Sequence, residues 1–178
     1  MTEEKEPKVL FLCYGNPSRG DDGLGPALAD RLAKSAVAGV ALEVDYQLGL
    51  EHVAEVMDYD LVVFADAAVR GASPFQLRRV EPRSSLSFSS HSLTPEQVLG
   101  LAQGVFGKNP CGYVLAIRGY CFEPFREGLT DEAQSNLEAA VTFVEGWLQD
   151  GLRVSDPAAG SGKLGERQVG DPGRYWQC

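Results

Sequence analysis

The stretch KVLFLCYGNPSRGDDGLGPALADRLAK, residues 8–34, decides the fold of this 178-residue chain. Its first six residues form a continuous apolar run, which is typical of a strand buried on both faces of a parallel sheet. The run stops at the turn-forming residues 15–18, after which a leucine recurs every fourth position. This pattern predicts a helix over about residues 22–34, with Asp21 or Asp22 as its N-cap.

The rest of the chain continues the alternation of strand and helix. A capping box at Thr94 and Gln97 predicts a helix from Pro95, with Val98, Ala102 and Val105 on its inner face. Thr130 is expected to cap the last helix. The other predicted elements are strands at 41–46, 60–65, 75–80 (an edge strand) and 112–117, and helices at 51–57 and 131–149.

These elements predict an α/β fold with a mostly parallel five-stranded sheet and helices on both faces. One domain is expected over residues 1–150, which is an ordinary domain size. Residues 151–178 are rich in Gly, Pro and charge and have no periodicity, so we expect a flexible C-terminal tail there.

Composition excludes several classes of function. The net charge of -9, without a basic stripe, argues against nucleic acid as a partner. No apolar run approaches the length of a membrane span, and the polar N-terminus does not resemble a signal peptide, so a cytoplasmic protein is expected. The four cysteines form no CxxC pair and predict no zinc knuckle.

Three groups of side chains should reach the edge of the sheet where parallel strands end. Asp21 and Asp22 follow the first strand, Asp66 is expected to end the strand DLVVFA, and His91 lies in a loop before a helix. Each has a simpler interpretation: a helix cap, a turn residue and an exposed loop residue, respectively. Together, however, two carboxylates and one imidazole form a coherent site for a divalent metal.

Other sites are less consistent with the sequence. Glycines at positions 15, 20 and 25 match neither the dinucleotide fingerprint nor a phosphate loop, and the acidic pair would repel phosphate. No GxSxG motif occurs. His52 is expected on a solvated helix face, outside the site.

Four blocks of the sequence resemble the [NiFe]-hydrogenase maturation endopeptidases in their order and spacing, over roughly residues 9–148. The blocks are GNPSRGDDGLGPALADRL (15–32), YQLGLEHVAEVMDYDLVVFADAA (46–68), SHSLTPEQVL (90–99) and RGYCFEPFREGLTDEA (118–133). The resemblance implies a twisted sheet between helices and a hydrolase that removes the C-terminal extension of a nickel-loaded large-subunit precursor. The nickel would arrive with that precursor, and no organic cofactor is expected.

The resemblance also implies the roles of individual residues. Carried over position by position, the metal-binding and catalytic residues are Asp22, Asp66 and His91. The family is sometimes grouped with the aspartic peptidases, but the two DTG-like loops of pepsins are missing, so that label describes only dependence on carboxylates. A monomer is expected.

Two departures from the family pattern leave questions open. The first ligand is commonly Glu, so the shorter Asp22 must come closer or share its role with Asp21. The loop after the second strand is often DGGT but reads YQLG at residues 46–49, which leaves the hydrogenase partner undetermined. Two alternatives remain: a flavodoxin-like nucleotide- or flavin-binding module, and a hydrogenase assembly chaperone that does not cleave.

Overall fold

A computed structural model describes residues 7–35, 39–83 and 92–152 of the chain. Its five strands lie in one sheet in the order β2-β1-β3-β5-β4. The strands are β1 (Val9–Tyr14), β2 (Val40–Asp45), β3 (Leu61–Ala68), β4 (Phe75–Arg79) and β5 (Cys111–Arg118). All neighbouring strands are parallel except β4, which pairs antiparallel with β5 at the edge. The predicted α/β class and the mostly parallel five-stranded sheet are confirmed.

Helices cover both faces of this sheet. They are α1 (Leu24–Ser35), α2 (Glu51–Glu55), α3 (Pro95–Phe106) and α4 (Asp131–Gln149), with short 3-10 turns at Gly20–Gly23 and Val56–Asp58. One core lies between the sheet and helices α1 and α4, and a second lies between the sheet and helices α2 and α3. Because β1 and β3 contribute alternate residues to the two cores, their sequences are continuously apolar, as the parallel-sheet prediction required.

The caps of the later helices are as predicted. Thr94 and Gln97 form the expected capping box of α3, and the Thr130 side chain accepts a hydrogen bond from the Ala133 N–H at the start of α4. On the inner face of α3, Val98 and Ala102 are buried, but Val105 is 65% exposed. The expectation for Val105 was wrong because the last turn of α3 extends past the core.

The start of α1 also differs from the prediction. The N-cap was expected at Asp21 or Asp22, yet both belong to the 3-10 turn that precedes α1. The Asp21 carboxylate bonds to the loop after β5, and the Asp22 carboxylate bonds to the Asn16 N–H just after β1. The 3-10 turn packs against β3. It therefore carries this acidic pair to the edge where the parallel strands end.

Asp66 does not end its strand. β3 continues to Ala68, since residues 66–68 still pair with Ala116, Ile117 and Arg118 of β5. Asp66 interrupts the apolar run without ending the strand, because Ala67 beyond it still packs against the first core. The change in composition therefore marks one polar position and not the end of the strand.

The two ends of the chain lie mostly outside the described residues. Leu152 is buried against the first core, so the packed part of the domain reaches at least two residues past the predicted boundary at 150. The predicted flexible tail covers residues 151–178; residues 153–178 lie outside the described part of the chain, and their flexibility stays a prediction. No helix in the described part of the chain has the length and hydropathy that a membrane span requires.

Candidate metal-binding site at the carboxyl edge of the sheet

Asp22 and Asp66 come from separate elements and face the same edge of the sheet. Asp22 belongs to the 3-10 turn after β1, and Asp66 lies near the end of β3, the neighbouring strand. Both residues are half-buried. The two carboxylates are close enough for the charge of Asp22 to raise the pKa of Asp66. The structure therefore brings together two of the three predicted site residues.

The environment of Asp66 disfavours its charged form. Burial contributes most, and with the charge of Asp22 it raises the pKa of Asp66 to about 7. Hydrogen bonds from the Ala67 N–H, at 2.7 Å to Oδ1, and from the Tyr14 side chain favour the charged form but only partly offset this effect. A cation bound beside Asp66 would favour its charged form and so counteract the effect of burial on its pKa.

Tyr14 is a site residue that the sequence reasoning missed. It is the last residue of β1, its side chain packs against the second core, and its hydroxyl donates a hydrogen bond to Asp66. Burial, followed by the nearby charges of Asp66 and Glu96, raises the pKa of Tyr14, so the phenol keeps its proton and remains a donor. The available signal was a tyrosine, with its polar hydroxyl, at the end of an otherwise apolar strand.

The adjacent aspartates have different environments. Asp21 is completely buried, and its carboxylate accepts hydrogen bonds from Tyr120 N (2.7 Å), Cys121 N (3.0 Å), Thr130 N (2.7 Å) and Thr130 Oγ1 (2.9 Å). Burial alone would raise the pKa of Asp21, but these bonds outweigh it and lower the pKa. The Asp22 carboxylate has one such bond, from the Asn16 N–H at 3.1 Å. Asp21 thus joins two loops, and Asp22 keeps oxygen lone pairs for a ligand.

His91 lies outside the described residues, but the chain that follows it is placed. The Leu93 N–H donates a hydrogen bond of 2.8 Å to the Leu48 carbonyl, beyond the end of β2. Two residues later α3 begins, and its Glu96 is near enough to Tyr14 to affect the pKa of the phenol. The described chain therefore resumes after His91 at the same edge of the sheet as Asp22 and Asp66.

A second group of potential ligands lies at the end of β2. Atoms of Asp45, Glu51 and His52 lie within 4.8 Å of one another. The expectation that His52 is solvated was wrong: it is 4% exposed, because its Nδ1 accepts a hydrogen bond of 2.9 Å from the Gly49 N–H and holds the ring inward.

That hydrogen bond makes this second group a poor metal site. An Nδ1 that accepts a hydrogen bond has no proton, so neutral His52 has its proton on Nε2, which is 3.8 Å from Asp45 Oδ2. Metal-binding histidines have the opposite arrangement, in which the second nitrogen donates a hydrogen bond. We therefore interpret His52 as a structural residue of the Leu48–Glu51 turn.

Comparison of the sequence with family models and with curated proteins gives no match. Comparison of the fold with solved structures gives several. The chain resembles the hydrogenase maturating endopeptidase HybD from Escherichia coli, with a TM-score of 0.65 and 22% identity over 80% of this chain and 93% of that one.

Two archaeal proteins have similar folds. For the [NiFe] hydrogenase maturation protease HycI from Thermococcus kodakarensis the TM-score is 0.63 and the identity 21%, over 83% of this chain and 95% of that one. For a hydrogenase 2 maturation peptidase from a thaumarchaeon the TM-score is 0.59 and the identity 23%, over 82% of this chain and 99% of that one. At this level of identity the likeness establishes a shared fold across nearly the whole length of these proteins.

Proposed function

We propose that this chain is an endopeptidase that removes the C-terminal extension of a nickel-loaded [NiFe]-hydrogenase large-subunit precursor. Asp22, Asp66 and His91 bind the nickel that the precursor carries. The nickel is part of the substrate, and the chain needs no organic cofactor. We place the reaction in the cytoplasm and assign it to a monomer.

The observation that carries this proposal is the convergence of Asp22 and Asp66 at one edge of a fold shared with maturation endopeptidases. Carboxylate oxygens and an imidazole nitrogen form a donor set that suits a divalent transition metal such as nickel. A cation between the carboxylates would also stabilise the charged form of Asp66, whose pKa is about 7 without it. The site therefore gains electrostatic stability when the substrate brings its metal.

The surrounding groups prepare the two carboxylates for this role. The Tyr14 hydroxyl donates to Asp66, and the Asn16 N–H donates to Asp22, so each carboxylate has a fixed partner that orients it. Bound nickel then positions the scissile peptide of the precursor at the site. In this mechanism a precursor without nickel binds poorly, which prevents its cleavage before the metal is inserted.

The proposal is tested with purified protein and with each large-subunit precursor encoded in the same genome, prepared with and without nickel. Mass spectrometry should show loss of a C-terminal peptide from one nickel-loaded precursor and none from its nickel-free form. D66N and H91A should abolish cleavage. D30N is the matched control, because Asp30 is exposed on α1 and should leave cleavage unchanged.

The outcomes separate the possible errors. Cleavage of no precursor by the wild-type protein would reject the endopeptidase function and favour a chaperone that only holds the precursor. Full cleavage by both D66N and H91A would reject the assigned site but retain the function.

A further inference from the structure

Phe125 is the most exposed large apolar side chain in the described part of the chain, with 98% of its surface accessible. Its backbone is also unusual, with φ at +61°. This left-handed conformation is unfavourable for a bulky residue and common for Gly or Asn. Nothing in the described part of the chain packs over Phe125 or accounts for its strained conformation. Strained residues of this kind cluster at functional sites.

The loop that carries Phe125 is firmly attached to the candidate site. The Gly20 N–H donates a hydrogen bond of 2.6 Å to the Arg126 carbonyl, and the Arg126 N–H donates one of 3.1 Å to the Ser18 carbonyl. Arg19 and Arg126 form a parallel bridge between the two segments. Phe125 is therefore held beside the segment that leads directly into Asp22.

Asp21 fixes the same loop from its other end. Its N–H donates to the Cys121 carbonyl at 2.8 Å, and its carboxylate accepts the hydrogen bonds from Tyr120, Cys121 and Thr130 described above. The loop is thus tied to residues 18–21 at several points on either side of Phe125. A side chain that projects from so fixed a support is preorganised for insertion into another surface, which lowers the entropic cost of binding.

We propose that Phe125 is a docking residue that inserts into an apolar pocket on the protein substrate, next to the segment that is cleaved. This inference rests on the proposed function and adds a contact to it. A projecting aromatic side chain fits a concave surface on a folded protein. The charged groups around Phe125 have both signs: Glu123 pairs with Arg126 at 3.7 Å on the same loop, and exposed Arg19 lies on the adjoining segment. The rim of the pocket should therefore be polar, with groups of both charges.

The test compares F125N with wild type. Asn tolerates the left-handed conformation, so F125N should unfold at a temperature no lower than wild type. Its Kd for the nickel-loaded precursor that wild type cleaves should rise by about tenfold or more, as for other buried aromatic anchors of interfaces. In cleavage assays the loss should appear in KM. F106N is the matched control: Phe106 is 50% exposed at the far end of α3, near the opposite edge of the sheet.

Several results would overturn the docking role. Unchanged precursor affinity in F125N, alongside normal wild-type cleavage, would reject it while leaving the endopeptidase function intact. An equal loss of affinity in F106N would show that the effect is not local. A concentration-dependent wild-type dimer that F125N abolishes would assign Phe125 to self-association. Absence of wild-type cleavage would remove both the docking role and the function on which it rests.

Discussion

Replacing Asp21 by Asn should destabilise the protein more than any other single isosteric change at the candidate site. The carboxylate is completely buried and accepts three hydrogen bonds from backbone N–H groups and one from the Thr130 hydroxyl. An amide has only one acceptor oxygen, so its NH₂ group must face at least one of these donors. The variant therefore contains an unsatisfied buried donor and also lacks the charge that strengthened the other bonds.

The magnitude follows from the number of affected bonds. An orphaned buried donor costs about 1–3 kcal/mol, and hydrogen bonds to a charged group are worth about 1.5–3 kcal/mol against about 1 for neutral ones. We expect D21N to lose about 2–4 kcal/mol of unfolding free energy at pH 7, a large part of the 5–15 kcal/mol that is typical of a domain. Urea denaturation followed by circular dichroism measures this loss, with D22N as the matched control.

The pH dependence provides an independent check. The pKa of Asp21 is lower in the folded protein than in the unfolded chain, where it is about 3.9. The stabilisation that the Asp21 carboxylate provides is therefore fully present above about pH 4 and is lost as the pH falls through the pKa of the folded state. The difference in unfolding free energy between wild type and D21N should therefore become smaller only under acidic conditions. If D21N loses less than about 0.5 kcal/mol of unfolding free energy at pH 7, which is within the range of ordinary surface substitutions, the reasoning is refuted. A greater loss of unfolding free energy in D22N than in D21N would also refute it.

Two further predictions concern groups around the site. Y14F removes the hydrogen bond that lowers the pKa of Asp66, so this pKa should rise above about 7 in a carboxyl NMR titration, whereas Y59F should leave it unchanged. G25A places a Cβ 2.3 Å from the Tyr14 carbonyl oxygen and 2.8 Å from the Ala65 carbonyl oxygen. It should therefore lower the unfolding free energy, measured by urea denaturation, by about 1–3 kcal/mol or more. G104A, which meets nothing within 4 Å on α3, should instead stabilise by up to about 1 kcal/mol; equal effects of the two glycine substitutions would contradict this account.

The sequence was most informative where a local pattern has one structural solution. The apolar runs at β1 and β3 predicted strands buried on both faces, and the residues at Thr94 and Gln97 predicted a capping box that the structure contains. These features depend on neighbours in the chain, so periodicity and spacing are sufficient to identify them.

The missed features depend on contacts between distant parts of the chain. Asp21 bonds to residues about 100 positions away, and His52 is buried by a turn whose geometry no periodicity reveals. The hydrogen bond between Tyr14 and Asp66 joins two strands that are separated in the sequence by two α-helices and another strand. Local sequence patterns carry no information about contacts between distant residues. Residue type alone therefore predicted a helix cap at Asp21 and a solvent-exposed helix face at His52.

The adjacent aspartates offer a final test of this distinction, because extension by one methylene should affect them differently. Gly119 lies so close to Asp21 that a Cβ on the glycine would be 2.8 Å from the Asp21 Cβ, and the site has no space for a longer side chain. D21E should therefore cost about 1–3 kcal/mol through overpacking. Half-buried Asp22 has one backbone partner, so D22E should change stability by less than about 1 kcal/mol, the net worth of one hydrogen bond. Equal losses in the two variants, measured by urea denaturation, would mean that Asp22 is a structural residue as Asp21 is, and the argument for a free ligand at position 22 would fail.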